Sequence, residues 1–506
     1  MICFMKLLSI SNLHVQSKNN IMLLSKDIKS VDELKKYFAD PQKMVDHLVD
    51  LLSFFEFKRV FKILDPIKKR GFAMSQVFSL ILLFPFLHHA SVHALFKSGN
   101  SKLASGQKDV YYRFKNRVDI PWRRLLINFV RRFLVIVELR GQSGKPGERC
   151  LIIDDSLLGK TGKAIEFVGR LWDHVTHGSK LGLRLLLSCY YDGKSTIPVD
   201  FSIHREKGKN DQKPYGLTKK QLKGQYRKCR QADSQGCKRE SETDKTKSEV
   251  GMEMIKRALG YLPVDYVLMD SWFTSGAMIQ CVRGYTKQNV HLIGMMKMGN
   301  AQYSYEGKLY GADQLQRMGK RMGLMNRCRK LNASYIVMEA EYKEYPVKLF
   351  FSRFGQRGKW HLILSTDTSL GYMRLMELYQ IRWTIEVLFK EGKQYLNLGG
   401  CQSKDFDAQI ADTTITMIQY ILLTLRKRFD DYDTRGEIFR DVGEQMQERT
   451  LHARLWDLLV AVMKIIMESF DIIIEDIDAC IARLINQDKL KGILELFSPN
   501  HKVILS

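Results

Sequence analysis

The sequence predicts a mixed α/β fold set between two helical regions. Three features carry that prediction. Apolar residues recur at three- and four-residue steps up to about Phe133, apolar runs and two-residue alternation take over from Cys150, and helical periodicity returns from Tyr372. At 506 residues and 45% apolar content the chain is long enough for several cores, which excludes disorder throughout.

Charge narrows the partners. Eighty Lys plus Arg against fifty-five Asp plus Glu leave +25, an excess that draws polyanions, nucleic acid first and anionic membrane second. A membrane-spanning reading fails on length: the most apolar run, Val77 to Leu87, has eleven residues and contains Pro85, whereas a spanning helix needs about 20. Met1 to Ser17 has neither a basic leading stretch nor a convincing cleavage site, so secretion is not expected. The nine cysteines are odd in number and lack any C-x-x-C spacing, which excludes a zinc ribbon and suits reduced thiols in a cytosol.

Along the chain, Val31 to Phe133 reads as helices broken at Asp65-Pro66 and Gly71. Within it, Lys97 to Arg124 interleaves basic and aromatic residues (Tyr111, Tyr112, Arg113, Trp122, Arg123), a composition suited to phosphate contact and stacking. After the loop Gly141 to Glu148, strands are expected at Cys150 to Asp154, Leu183 to Tyr191 and Ser195 to His204, the last two joined by the turn pair Asp192-Gly193. Lys207 to Glu249 is polar and almost free of aliphatic residues, so a long exposed loop is expected there. A helix from Val250, a strand at Val264 to Asp270, a helix near Thr274 to Tyr285 and a strand at Val290 to Met296 follow. Alternation from Gly299 to Leu370 then predicts a β-rich insertion, interrupted by the basic segment Arg317 to Lys330. Tyr372 to Leu396 reads as one long helix, with more helices from Asp405 to Leu496.

Three carboxylates stand where chemistry would need them. Asp154 and Asp270 each close an apolar strand, and Glu386 lies inside the long helix. Carboxylates gathered at neighbouring strand ends repel one another, so a hard cation such as Mg²⁺ or Mn²⁺ is expected between them. Two such ions can hold a phosphodiester, activating the attacking oxygen and stabilising the leaving one. On a helix, Tyr379, Arg382, Glu386 and Lys393 fall within an arc of about 60°, forming a single stripe beside apolar Ile381, Ile385, Leu388 and Phe389. Glu391 is turned about 140° from that stripe.

The spacing Tyr379-x-x-Arg382-x-x-x-Glu386-x-x-x-x-x-x-Lys393 resembles the Y-R-E-K signature of the IS4-family insertion-sequence transposases, and Asp270-Ser-Trp-Phe is similar to usage around that family's second acid. The likeness covers about Leu151 to Gln409. It implies an RNase H-like catalytic domain bearing a DDE triad of Asp154, Asp270 and Glu386, two Mg²⁺ or Mn²⁺ ions, and cut-and-paste transposition in a bacterial cytoplasm. It further implies double-stranded DNA, as transposon ends and target, as the partner, and a homodimer in a synaptic complex. Tyr379 and Arg382 would then hold phosphates near a flipped base and Lys393 would contact the DNA end. Trp360, which follows Lys359 and opens the strand His361 to Ser365, resembles the family's base-stacking tryptophan, with Trp272 its weaker rival.

The domain division that follows places a helical, basic DNA-binding region at 1–140, the first part of the catalytic core at 141–298 and the β-rich insertion at 299–370. The second part of the core, with the Glu helix, occupies 371–430, and a helical C-terminal region suited to dimerisation occupies 431–506. Asp154 and Asp155 are adjacent and point to opposite faces of a strand, so only one faces the metals; the pattern acid-x-Ser, here Asp154-Asp155-Ser156, favours Asp154. Two other readings remain, a former transposase kept as a catalytically silent DNA-binding protein and an RNase H-like nuclease without strand transfer. Loss of an acid would mark the first of them, and all three acids are present.

Overall fold

The computed structural model describes residues 60–429, apart from 61–62, 65–66, 68–69, 85–90, 98–103, 105, 145 and 174–175. The expected helices before residue 60 and the C-terminal region 431–506 lie outside the described residues.

Among the described residues four helices come first: α1 (Met74–Leu83), α2 (Val92–Lys97), α3 (Lys108–Lys115) and α4 (Trp122–Leu139). In α4, Leu125, Leu126, Phe129, Val130, Phe133, Ile136 and Val137 recur at helical spacing and are all buried. Much of the basic-aromatic stretch therefore serves packing, with Tyr111, Phe114 and Trp122 inside the core.

The next four strands, β1 (Cys150–Gly159), β2 (Gly169–Asp173), β3 (Gly178–Tyr191) and β4 (Thr196–His204), are antiparallel. β3 gives one edge to β1 and divides the other between β2 and β4. The turn Asp192-Gly193 joins β3 to β4 as expected. Gly193 takes a φ of +99°, which a side chain would resist, and the Asp192 carboxylate accepts hydrogen bonds from the backbone of Lys194 and Ser195.

Residues 207–249 depart from the exposed loop expected of them. They carry α5 (Lys219–Lys223), α6 (Gln235–Glu240) and the start of α7 (Lys247–Leu259), and they are fastened by ion pairs. The Arg230 side chain is wholly buried, 2.7 Å from Glu166 and 3.1 Å from Asp407, while Arg239 is buried over the Phe201 ring. A search for aliphatic residues misses such a segment, because paired charges take the place of an apolar face.

β5 (Tyr266–Met269), α8 (Gly276–Arg283) and β6 (His291–Met296) follow, with β5 parallel to both β1 and β6. The insertion contributes β7 (Gln302–Tyr305), β8 (Lys308–Gly311), α9 (Ala312–Arg321), β9 (Met325–Cys328), β10 (Ala333–Tyr342), β11 (Tyr345–Phe354) and β12 (Trp360–Ser365). α10 (Tyr372–Ile381), α11 (Thr384–Tyr395) and α12 (Phe406–Phe429) complete the described chain. All the strands lie in one mixed sheet of order β2-β3-β1-β5-β6-β12-β11-β10-β7-β8, with β4 on β3 and β9 on β10. β4 is buried along its whole length beneath α4, α7 and α12, while α11 packs against β1 and α10 against β6. Among the described residues no helix is long and apolar enough to cross a membrane.

Two elements near the carboxylates differ from expectation. β1 does not close at Asp154 but runs on to Gly159, because β3 continues to pair with it down to Gly182 after β5 has ended. The single helix expected over Tyr372 to Leu396 is two helices, interrupted at Arg382-Trp383. There the backbone bonds tighten to three-residue steps, Arg382 to Tyr379 and Glu386 to Trp383. The Thr384 hydroxyl bonds the Ile381 carbonyl at 2.8 Å and so competes with the regular helical bond.

Candidate active site

The parallel register of β1 and β5 brings the two aspartates together. Ile153 lies opposite Met269, so Asp154 and Asp270 follow at the same level on adjacent strands, at the carboxyl end of the parallel pair. β1 is fully buried through Ile153 and becomes partly open from Asp154 onward, which is where the core ends and the site begins. Burial and then the neighbouring Asp270 carboxylate push the Asp154 carboxyl up to about 7, against the pull of Arg382.

Asp270 is fixed by the turn it starts. Its Oδ1 accepts from the backbone N–H of Trp272 at 2.9 Å and of Phe273 at 3.3 Å, and the Thr274 hydroxyl donates back to the Asp270 carbonyl at 2.7 Å. Gly294 on β6 leaves room for that turn: a Cβ there would stand 2.2 Å from Thr274 Oγ1. Neither Gly294 nor Thr274 stands out in the sequence, since the close approach of strand and turn is a tertiary contact.

From the interrupted helix, three members of the predicted stripe reach the same place. Arg382 Nη1 lies 3.3 Å from Asp154 Oδ2, and Nη2 lies 2.8 Å from Glu386 Oε1. Tyr379 is buried, with its hydroxyl donating to the Met269 carbonyl at 3.4 Å, immediately before Asp270. Lys393 is exposed about two turns beyond Glu386 and donates to Ser156 Oγ on β1 at 2.7 Å. Glu391 points elsewhere and accepts from the Tyr420 hydroxyl on α12.

The adjacent acids of β1 part company as their alternation requires. Asp155 lies 3.2 Å from Arg184 and 3.3 Å from Lys247, so its charge is already compensated on the other side of the strand. Lys247 also stands 3.9 Å over the ring of Trp272, which is 49% exposed. Arg184, Lys247 and the nearby Glu206 went unnoticed in the sequence because they come from β3, α7 and the loop after β4.

Trp360 is not beside the carboxylates. It opens β12, two strands from β5, and strand spacing places it about 14 Å from Asp270. It is partly buried, with the Arg353 guanidinium 5.2 Å from its ring centre.

Carboxylate oxygens are the donors that hard divalent cations prefer, and the repulsion between Asp154 and Asp270, which Arg382 offsets only in part, is of the kind such a cation relieves. Among the described residues no group of three His, Cys, Asp or Glu closes on a metal-sized gap, and the Glu386 carboxylate is engaged by Arg382. The two aspartates fit a cation, and Glu386 stands next to them behind one guanidinium.

A mixed sheet carries paired acids at the ends of adjacent parallel strands, faced by a glutamate and an arginine. Residues 97–344 match the family described as DDE superfamily endonuclease. The matched span includes Asp154 and Asp270 and stops before α10 and α11, so Glu386 comes from outside it. The match supports a nuclease or transposase enzyme of the DDE kind, with DNA as substrate and with the divalent ions such enzymes generally use. No curated protein matches the chain.

Proposed function

We propose that the chain is a transposase of the IS4 kind, which cuts DNA at the ends of an insertion sequence and joins those ends to target DNA. The observation that carries this reading is the Arg382 guanidinium set between Asp154 and Glu386, alongside Asp270. It joins the two halves of the sequence signature, the strand-borne acids and the helical stripe, in one place.

An RNase H-like core is part of the same reading. The order β4-β3-β1-β5-β6, antiparallel on one side of β1 and parallel on the other, supports it. Within that core Asp154 and Asp270 are the residues to hold divalent cations, completed by Glu386. When bound, such ions supply Lewis acidity at the scissile phosphate. Tyr379, whose hydroxyl engages the Met269 carbonyl, supports the start of the Asp270 turn. Contact with phosphate from this stripe falls to Arg382 and Lys393, which lie on either side of Glu386 and reach β1 at Asp154 and Ser156. Trp360 is the candidate platform for a base, the helical region 1–140 the candidate DNA-binding region, and 431–506 the candidate dimerisation region.

The test is a cleavage and joining assay with the full chain, Mg²⁺ and end-labelled DNA taken from the flanks of its coding region. Nicked and strand-joined products are expected from the unmutated chain. Asp154→Asn, Asp270→Asn and Glu386→Gln should each abolish cleavage while DNA binding persists. Full cleavage by Glu386→Gln would end the triad assignment, and nicking without any joined product would favour a nuclease.

A further inference from the structure

Five strand ends continue the line that begins at Asp154 and Asp270. β6 runs parallel to β5, β12 and β6 are antiparallel, and β11, β10 and β9 alternate beyond them. The carboxyl end of β5 therefore shares one rim of the sheet with the end of β6, the start of β12, the end of β11, the start of β10 and the end of β9. The register keeps the outer four level, with Arg353 opposite Trp360, Ala333 opposite Phe354 and Arg327 opposite Ser334, and it sets Trp360 about 10 Å beyond Asp270 along the strands.

This rim is basic without relief. The segments that form it, 297–301, 327–332 and 355–359, contain Lys297, Arg327, Arg329, Lys330, Arg357 and Lys359, and neither Asp nor Glu. All six cations are exposed. The opposite end of the β10–β11 pair is different, with exposed Glu339, Glu341 and Glu344 beside Lys343. The high net charge of the chain does not account for such a division, because a merely soluble surface mixes its signs.

Five strand spacings separate β5 from β9, about 24 Å across the sheet, a length equal to about 7 base pairs of duplex. We propose that this rim binds the phosphate backbone of the DNA duplex on one side of the scissile phosphate, from the carboxylates out to β9. The inference rests on the proposed DNA-cutting function and adds to it the surface that carries the duplex. It also gives Trp360 a place, since Trp360 and Lys359 lie on the rim between the carboxylates and Arg357.

The experiment measures binding of the full chain in EDTA to a fluorescent mixed-sequence duplex of about 30 base pairs as salt is raised, each neutralised phosphate contributing about −0.9 to the log–log slope. Combined Arg329→Ala, Lys330→Ala, Arg357→Ala and Lys359→Ala should flatten the slope by about 3 and weaken low-salt binding at least about tenfold. The control combines Lys256→Ala, Lys287→Ala, Lys308→Ala and Lys343→Ala, exposed lysines away from the rim, and should keep the original slope. Replacing the four rim cations with the other basic residue, Arg by Lys and Lys by Arg, should retain most of the slope, which separates lost charge from lost folding. A rim variant with the original slope would overturn the proposal, as would equal flattening by rim and control variants. Failure of the unmutated chain to bind duplex would overturn the DNA-cutting function itself, whereas firm binding with an unaltered rim slope would overturn the rim alone.

Discussion

Arg382 holds Glu386 at 2.8 Å while its other terminal nitrogen stands 3.3 Å from Asp154, so a single side chain supplies the positive charge between two acids. A divalent cation drawing on both carboxylates competes with that guanidinium. In the absence of DNA, Arg382→Ala should therefore bind Mn²⁺ more tightly, by about 5-fold if the contact is worth about 1 kcal/mol. The same variant should cleave DNA poorly for want of a phosphate contact. Calorimetric titration with Mn²⁺ measures the first effect, and weaker binding by the variant would mean that Arg382 organises the acids rather than competing for them.

Asp155 offers a separate test of the first acid. Its carboxylate is already paired with Arg184 and Lys247, so Asp155→Asn should leave the rate of DNA nicking within a few-fold of the unmutated chain. The cost should appear in stability, about 1–3 kcal/mol, as two partly buried cations lose a partner. Denaturant unfolding and nicking assays report the two quantities independently. Loss of nicking by a normally folded Asp155→Asn protein would transfer the metal-ligand role to Asp155.

The raised carboxyl of Asp154 makes the cation-free protein sensitive to pH. Because its folded pKa, about 7, exceeds the unfolded value of about 3.9, the native state holds the proton longer than the unfolded state does. The stabilisation this provides is complete below the unfolded pKa and is lost as pH rises through about 7. Asp154→Asn cannot ionise, so in EDTA it should melt above the unmutated chain at pH 8, and the gap should close toward pH 4. Thermal melts at the two pH values decide the matter; a gap that widens at low pH would contradict the sign.

Trp360 and Trp272 divide the aromatic role by position. Trp272 lies two residues after Asp270, with Lys247, the partner of Asp155, over its ring, whereas Trp360 stands on the rim with Arg353. Trp360→Ala should leave the first nick nearly intact and reduce hairpin or strand-joined product by at least about 5-fold, the equivalent of 1 kcal/mol of lost stacking. Trp272→Ala should slow the first nick itself. Denaturing gels separate the products, and a reversal of the two patterns would exchange the assignments.

The acids and the signature stripe were legible in the sequence because both depend on local periodicity. Strand-closing Asp270 needs only a short apolar run ended by an acid, and the spacing from Tyr379 to Glu386 needs only two helical turns. The break at Arg382-Trp383 was not legible, since it depends on where the Thr384 hydroxyl finds its partners, Ile381 and Thr196. Residues 207–249 misled for a related reason. A polar segment that buries Arg230 against Glu166 and Asp407 has the composition of a solvated loop, and its partners lie tens or hundreds of residues away. The rim is an intermediate case: the basic segment Arg317 to Lys330 stands out in the sequence, but only the strand order aligns its end with Lys359 and Asp270.

The pairing of β12 with β6 from Leu362 to Ser365 has a mechanical consequence. The insertion is joined to the core by a ladder of backbone hydrogen bonds rather than suspended from a pair of linkers, so it cannot swing over the carboxylates as a flap does. The gap between the rim and the paired aspartates is thereby set like the jaws of a fixed gauge, and any bending required to bring a scissile phosphate into reach falls to the DNA.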